Sequence, residues 1–205
     1  MKAYLGIDVG GPRKGFHAVA MSGRVFEPRS FGRVDELVKW VRELKPLAIA
    51  IDAPCAWSDA GGSRECERRL RIGEDRISCF STPSEERAVG RGFYDWVRNG
   101  LALYQALAAH YPLYTGSQTR GPVMCETFPQ AVACMLAGSK LSARRKSPVR
   151  RKVLRSAGYD PDGLSNIDLV DAALCAIAAE ALVSGRFEAF GNAREGYIVT
   201  PLLVG

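Results

Sequence analysis

The chain has 205 residues, of which 47% are hydrophobic and 24% charged, values typical of a globular protein with a sizeable core. No apolar run approaches the roughly 20 residues that a membrane helix needs. The short apolar stretch at the start is interrupted by Asp8, which is untypical of a signal peptide. These features predict one cytoplasmic domain over residues 1–205 and exclude a membrane protein or a largely disordered chain.

The formal net charge of +6, from 28 basic and 22 acidic residues, is concentrated in one segment. Between Thr127 and Tyr159 there is no acidic residue, and the basic residues there are Lys140, Arg144, Arg145, Lys146, Arg150, Arg151, Lys152 and Arg155. A surface of one charge sign attracts phosphate groups, so nucleic acid is a candidate partner. A solvated helix face explains the same pattern, and both interpretations stay open at this point.

The six cysteines, at positions 55, 66, 79, 125, 134 and 175, include no C-x-x-C pair of the kind that binds zinc or acts in redox chemistry. Disulfides are not expected in a cytosolic chain. The last three cysteines lie in apolar runs and are predicted to be small core residues. Because neither His17 nor His110 is an evident base for a thiol, cysteine catalysis is not predicted.

The first quarter of the chain alternates short apolar runs with one amphipathic segment. The predicted elements are three strands, a helix and a fourth strand, at residues 3–9, 16–21, 24–31, 34–44 and 47–51. Tight turns between the first three strands predict an antiparallel meander. Pro46 ends the helix, and Asp52 closes the fourth strand.

Residues 55–121 are rich in Gly, Ser and Arg and predict an insertion with helices at 64–71 and 94–109. After it we expect a strand, three helices and a final edge strand, at residues 122–128, 130–137, 147–157, 166–183 and 197–203. Ser147 and Pro148 have the pattern of a helix start, with an N-cap followed by proline. Strand–helix–strand alternation after a meander predicts an α/β fold, with a mixed sheet and helices on its faces.

Acidic residues occur where apolar surroundings make a carboxylate costly. They are Asp8, Asp52, Glu126 and Asp171, with Asp168 one helical turn before the last of them. An ionised carboxylate is rarely buried unless it is paired or binds a metal, and these segments contain almost no basic residues. Oxygen ligands of this type favour Mg²⁺ or Mn²⁺, so their joint occurrence predicts a shared metal site.

Each acid also has a structural interpretation. Asp168 could stabilise the positive end of its helix, while Asp8 and Asp52 could be turn residues at strand ends. Glu126 could pair with an arginine from the insertion. This interpretation is weakest for Asp171, which lies well inside an apolar helix.

Four motifs, in this order, resemble those of the DUF429 family: Gly-Ile-Asp-Val-Gly-Gly at 6–11, Ile-Asp-Ala-Pro at 51–54, Glu-Thr-Phe-Pro at 126–129 and Asp-Leu-Val-Asp-Ala at 168–172. The resemblance covers nearly the whole chain, including residues 64–66 and 195–201. That family is regarded as predicted nucleases with a ribonuclease-H-like fold. The last motif is also similar to the catalytic helix of Holliday-junction resolvases.

The resemblance implies an α/β, ribonuclease-H-like mixed sheet with helices on both faces and a helical insertion after the fourth strand. It also implies a site for two Mg²⁺ or Mn²⁺ ions. By position, Asp8 would bridge the ions, Asp52 or Glu126 would complete one, and Asp168 with Asp171 would hold the other. The expected activity is metal-dependent hydrolysis of phosphodiester bonds in nucleic acid.

Candidate phosphate ligands come from the insertion and from the basic segment: Arg64, Arg68, Lys146, Arg150 and Arg151. Aromatic residues available for base stacking are Trp57, Phe80 and Tyr94, although such residues are more often packing residues. The sequence leaves homo-oligomer formation open, as well as the choice between DNA and RNA.

Two alternatives are retained. A phosphotransferase of the sugar-kinase and actin superfamily shares the ribonuclease-H-like fold, and its Gly-rich turn at residues 8–11 would approach phosphate through backbone N–H groups. Such kinases hold ATP between two copies of the fold, whereas this chain has one convincing copy. The other alternative is a catalytically inactive nucleic-acid-binding protein that keeps only the basic segment.

Overall fold

The computed structural model describes residues 2–59, 61–117 and 121–203. The strands are β1 (Tyr4–Val9), β2 (Phe16–Ser22), β3 (Val25–Phe31), β4 (Ala48–Asp52), β5 (Arg71–Ile72), β6 (Asp75–Arg76), β7 (Val123–Glu126), β8 (Phe187–Asn192) and β9 (Gly196–Pro201). The helices are α1 (Val34–Leu44), α2 (Glu65–Arg69), α3 (Glu85–Ala88), α4 (Asp95–Leu107), α5 (Pro129–Ala137), α6 (Lys146–Ser156) and α7 (Ile167–Ser184). A short 3₁₀ turn at Gly92–Tyr94 leads into α4.

The chain is an α/β protein built on a seven-stranded mixed sheet in the order β3-β2-β1-β4-β7-β9-β8. The first three strands form an antiparallel meander, as predicted. β4 is parallel to β1, β7 to β4, and β9 to β7, so the carboxyl ends of these four strands meet at one edge. β5 and β6 form a separate hairpin within the insertion.

The strand predicted at 197–203 is present as β9, but the prediction that it lies at the edge of the sheet is wrong. β9 lies between β7 and β8, and the antiparallel strand β8 forms the edge. The sequence prediction missed β8 because only Phe190 of this strand is buried, so no apolar run or regular alternation marks it in the sequence. The predicted N-cap Ser147 is also displaced, since α6 begins at Lys146.

Helices pack on both faces of the sheet. On one face α5, α6 and α7 cover small side chains such as Ala48 and Ala50 of β4. On the other face α1 and α4 cover larger ones such as Ile7 and Ile49. Side chains of a strand alternate between the two faces, so each face of β1 and β4 is buried.

α7 crosses β1 at close range because the facing residues are small. A methyl group added to Gly6 would overlap the backbone of Ala172 and Ala176, so only glycine permits this approach. The amino end of α7 is capped by Asn166, whose Oδ1 accepts a hydrogen bond from the N–H of Leu169 at 2.8 Å. This packing holds the first turns of α7 against the carboxyl end of β1.

We expect Gly6→Ala to lower the free energy of unfolding by about 1–3 kcal/mol, because overpacking would push α7 away from the sheet. Gly11→Ala is the matched control, since nothing lies within 4 Å of a methyl group there. Urea denaturation of both variants measures the difference. Equal stability of Gly6→Ala and Gly11→Ala would mean that the helix adjusts without cost.

Within the described residues, no helix combines the length and the apolar character needed to cross a membrane.

Candidate metal centre

Asp8 and Asp52 lie side by side at the carboxyl edge of the sheet. They are register partners on the parallel strands β1 and β4, so their side chains project from the same face. This is the face covered by α7, because Asp8 is two residues beyond Gly6 on the same strand. The two carboxylates are close enough to share a hydrogen bond.

The amino end of α7 brings two further carboxylates to this edge. Asp168 is in the first turn of α7, and Asp171 follows it by one turn and is buried. The charges of both residues act on Asp8. Asp8, Asp52, Asp168 and Asp171 are called the carboxylate cluster below.

His17 joins this group, although the sequence interpretation assigned it no role. It is the register partner of Asp8 on β2 and is nine-tenths buried. Asp8, His17 and Asp168 each offer one ligand atom, and these atoms lie within 4.8 Å of one another. The sequence does contain a signal for this position of His17. The turn between β1 and β2 is short, so counting outward from it along both strands pairs residue 8 with residue 17.

Burial and mutual repulsion make the carboxylates hard to ionise. Burial, together with the charges of Asp171 and Asp168, raises the pKa of Asp8 from 3.8 to about 7. Burial and the charge of Asp8 raise the pKa of Asp52 well above its ordinary value. Burial also raises the pKa of Asp171, although Arg150 opposes this. A nearby cation would remove this penalty.

Two basic side chains already reach the cluster. The ammonium of Lys14 lies 2.8 Å from both carboxylate oxygens of Asp168. Arg150 is buried, pairs with Asp171 and donates a second hydrogen bond to Oε1 of Gln130 at 3.0 Å. The charges of Asp168 and Asp171 are therefore partly neutralised by these basic residues, whereas the hydrogen-bond partner of Asp8 is another carboxylate, Asp52.

Glu126 does not belong to the carboxylate cluster, which corrects the expectation that it is a catalytic residue and a metal ligand there. Its register partner on β4 is Ile51, so it projects from the face opposite to Asp52. Arg64 binds both of its oxygens, at 2.7 and 2.5 Å, and the N–H of Cys55 donates to it at 2.9 Å. These contacts agree with the structural interpretation of Glu126, which was pairing with an arginine of the insertion.

Several of the predicted phosphate ligands are occupied inside the protein. Arg64 and Arg150 are both buried in ion pairs, which corrects the expectation that they contact a substrate. Arg151 donates hydrogen bonds to the backbone carbonyls of Pro161, at 2.8 Å, and Leu164. Arg68 and Lys146 are exposed, and the charge of Lys146 acts on Asp171.

The cysteines have the properties of packing residues. Cys66, Cys125, Cys134 and Cys175 are buried free thiols, and Cys55 is partly buried. Burial, reinforced by the charge of Glu126, raises the pKa of the Cys55 thiol well above its ordinary value. A thiol that resists ionisation is a poor nucleophile and a poor metal ligand.

The side chains at this edge fit a divalent cation. Three or four carboxylates supply hard oxygen ligands, and His17 supplies an imidazole nitrogen. Nδ1 of His17 is buried and has no hydrogen-bond partner within the described part of the chain. Burial lowers the pKa of His17, which keeps the imidazole in the neutral form that binds metal.

The fold and this edge together define an α/β protein with a possible metal-binding group of carboxylates and a histidine. The chain belongs to the DUF429 family, described as proteins of unknown function, whose family model matches residues 6–195. This match confirms the resemblance noted in the sequence. Comparison with curated proteins gave no match, and comparison with solved structures gave none either.

Proposed function

We propose that the protein is a metal-dependent nuclease with a ribonuclease-H-like fold, which hydrolyses phosphodiester bonds of nucleic acid at the carboxylate cluster. The observation that carries this proposal is the meeting of Asp8, His17 and Asp168 within 4.8 Å, next to Asp52 and Asp171. Four acids meet at this edge of the sheet, and only Asp168 and Asp171 of them are paired with basic residues within the described part of the chain, so the structural interpretation does not account for Asp8 and Asp52.

The strand order supports the fold attribution. Five neighbouring strands, β3-β2-β1-β4-β7, combine an antiparallel meander with two parallel strands. The resemblance noted above implies this arrangement, with a first-strand Asp, an acid on the fourth strand and acids on a late helix. Asp8, Asp52 and the α7 acids Asp168 and Asp171 are at those positions.

Asp8, His17 and Asp168 would hold one Mg²⁺ or Mn²⁺ ion, and Asp52 and Asp171 are next to them for a second. Bound divalent cations would activate water and stabilise the charge of the leaving oxygen. Lys146 is exposed and near Asp171, so it is suited to neutralise a phosphate beside the cluster. With a cation bound at Asp168, Lys14 would no longer be paired there and would be free to contact phosphate.

We expect the purified protein to cleave labelled DNA or RNA in Mg²⁺ or Mn²⁺ and to lose this activity in EDTA. Asp8→Asn should lower the rate about a hundredfold or more, because it removes several kcal/mol of transition-state stabilisation at about 1.36 kcal/mol per tenfold. Asp75→Asn, at an exposed carboxylate on β6, is the matched control. Gel assays with single-stranded, duplex and branched substrates measure the rates.

Retention of cleavage by Asp8→Asn would assign the activity to a contaminant or to another site. Tight binding of nucleic acid without cleavage under any metal would instead favour the catalytically inactive alternative. The phosphotransferase alternative has less support, because the N–H of Gly10 already donates to the carbonyl of Gly15 at 2.8 Å within the turn. Calorimetric titration with ATP tests that alternative directly.

A further inference from the structure

A groove runs beside the carboxylate cluster, between the β1–β2 turn and the start of α4. It encloses about 660 Å³. One wall carries the basic residues Arg13 and Lys14, and the opposite wall carries the aromatic residues Phe93 and Trp96. We call this feature the aromatic groove.

Phe93 is the most unusual residue of the groove, because 70% of its surface is exposed. Its ring packs against that of Tyr94 in a T-shaped pair, with centroids 5.2 Å apart and planes at 82°, and against that of Phe80 at 6.1 Å. Phe80 in turn packs against Trp96 at 5.0 Å. An exposed ring backed by other rings is a preformed stacking surface, which loses little conformational entropy on binding.

The basic wall is held in place by the insertion. Nδ2 of Asn99 on α4 donates a hydrogen bond to the carbonyl of Gly10 at 2.9 Å, which ties the β1–β2 turn to the aromatic wall. Asp95 also lines the groove, but its charge is compensated by Arg98 at 2.8 Å. With Asp95 paired to Arg98 and Lys14 to Asp168, Arg13 supplies the net positive charge of the groove lining, opposite the aromatic wall.

The groove is continuous with the candidate metal centre. Val9, next to Asp8 in the chain, contributes to its lining, and Lys14 belongs to both features through its contact with Asp168. A chain that lies in the groove would thus pass beside the carboxylates. This continuity connects the groove to the proposed function, on which the following inference rests.

We propose that the aromatic groove binds unpaired nucleotides of the nucleic acid that is cleaved next to it. A base stacks on Phe93, and the phosphates of its strand contact Arg13. With a cation bound at Asp168, Lys14 would be free to contact them as well. Aromatic platforms beside a positive track are the general means of binding single strands. In a duplex the faces of each base are covered by its stacked neighbours, so Phe93 selects single-stranded DNA or RNA, or the unpaired part of a branched substrate.

Fluorescence anisotropy of labelled oligothymidylate, oligouridylate and a DNA duplex, measured in EDTA, tests this inference without cleavage. Phe93→Ala should weaken single-strand binding about 5- to 150-fold, the equivalent of the about 1–3 kcal/mol measured for stacking on one base. Phe93→Tyr should keep most of the affinity. Val89→Ala is the matched control, because Val89 is 69% exposed in the same insertion but does not line the groove.

Arg13→Ala supplies a second readout. It should reduce the slope of log affinity against log salt by about 0.7, the value for one phosphate contact with a single strand. Arg42→Ala, an exposed arginine in the last turn of α1, should leave the slope unchanged.

Unchanged single-strand affinity in Phe93→Ala, or binding of duplex as tight as that of single strands, would overturn the assignment of the groove. The proposed nuclease activity and the assignment of the groove can be rejected independently of each other. Binding that depends on Phe93 without any metal-dependent cleavage would keep the groove and reject the nuclease. Duplex cleavage that is insensitive to Phe93→Ala would keep the nuclease and reject the groove.

Discussion

Replacing Arg64 by alanine is expected to lower the free energy of unfolding by about 3–5 kcal/mol, because it leaves buried carboxylates without their partner. Arg64 is only 1% exposed and pairs with Glu67 at 2.9 Å as well as with Glu126. It also donates to the carbonyl of Glu195 at 3.2 Å. For a chain of this size the change corresponds to a fall in melting temperature of roughly 6–20 °C.

Arg68→Ala is the matched control, because Arg68 is an exposed residue of the same short helix. Surface substitutions of this kind usually change stability by less than about 0.5 kcal/mol. The double variant Arg64→Met with Glu126→Gln should regain part of the loss, since no charge of that pair then stays buried. Differential scanning fluorimetry ranks the variants. A normally stable Arg64→Ala that had lost only nucleic-acid affinity would restore the substrate-binding role expected from the sequence.

The main elements of the fold could be predicted because their patterns are local. Residues 34–44 have apolar side chains at helical spacing, and α1 has these bounds. The runs that precede Asp8 and Asp52 are fully apolar, which correctly predicted two strands ending at one edge. The hairpin of β5 and β6 was missed, since each of these strands has only two residues.

The position of Glu126 could not be predicted from its segment. All four residues of β7 are buried, because helices cover both faces of this central strand. Without alternation of polar and apolar side chains, nothing local shows which face a residue occupies. A change of one position in register exchanges the faces, so an equally plausible strand would have placed Glu126 beside Asp52.

The basic segment was ambiguous for a related reason. Arg150 lies among exposed basic residues in the sequence, yet its partner Asp171 is on the next helix. Composition shows an excess of basic residues but does not show which of these side chains are buried. His17 was assigned no role because nothing in its apolar strand marks it, and only its pairing with Asp8 brings it to the candidate metal centre.

Removing one charge from the carboxylate cluster is expected to stabilise the metal-free protein. In EDTA near pH 7, Asp8→Asn should raise the free energy of unfolding on the order of 2 kcal/mol, because each pKa unit is about 1.4 kcal/mol and water still reaches the cluster. The sign depends on pH. The pKa of Asp8 is about 7 in the folded protein against an ordinary 3.8, so the folded state binds more protons between these values. Stability of the unmodified protein therefore falls as pH rises through this window.

Comparing Asp8→Asn with the unmodified protein isolates the contribution of Asp8 to the pH dependence of stability. Both proteins retain His17, whose titration changes stability in the opposite direction. Burial lowers the pKa of His17, so its contribution to stability is lost as pH falls below its ordinary 6.5. The stabilisation by Asp8→Asn should be small at about pH 4 and largest above about pH 7. Urea denaturation in EDTA at several pH values measures it, with Asp75→Asn as the control.

Added metal should reverse the order of the two proteins. A ligand bound only by the folded state contributes about 2.7 kcal/mol at about 100 times its dissociation constant, or roughly 5–10 °C for this chain. We expect Mg²⁺ or Mn²⁺ to give this increase in the unmodified protein and in Asp75→Asn, and to give little of it in Asp8→Asn. The increase should grow with pH, because the metal binds ionised carboxylates. If metal leaves the melting temperature unchanged while Asp8→Asn lowers it, the cluster is a structural network stabilised by Lys14 and Arg150, and the nuclease proposal should be abandoned.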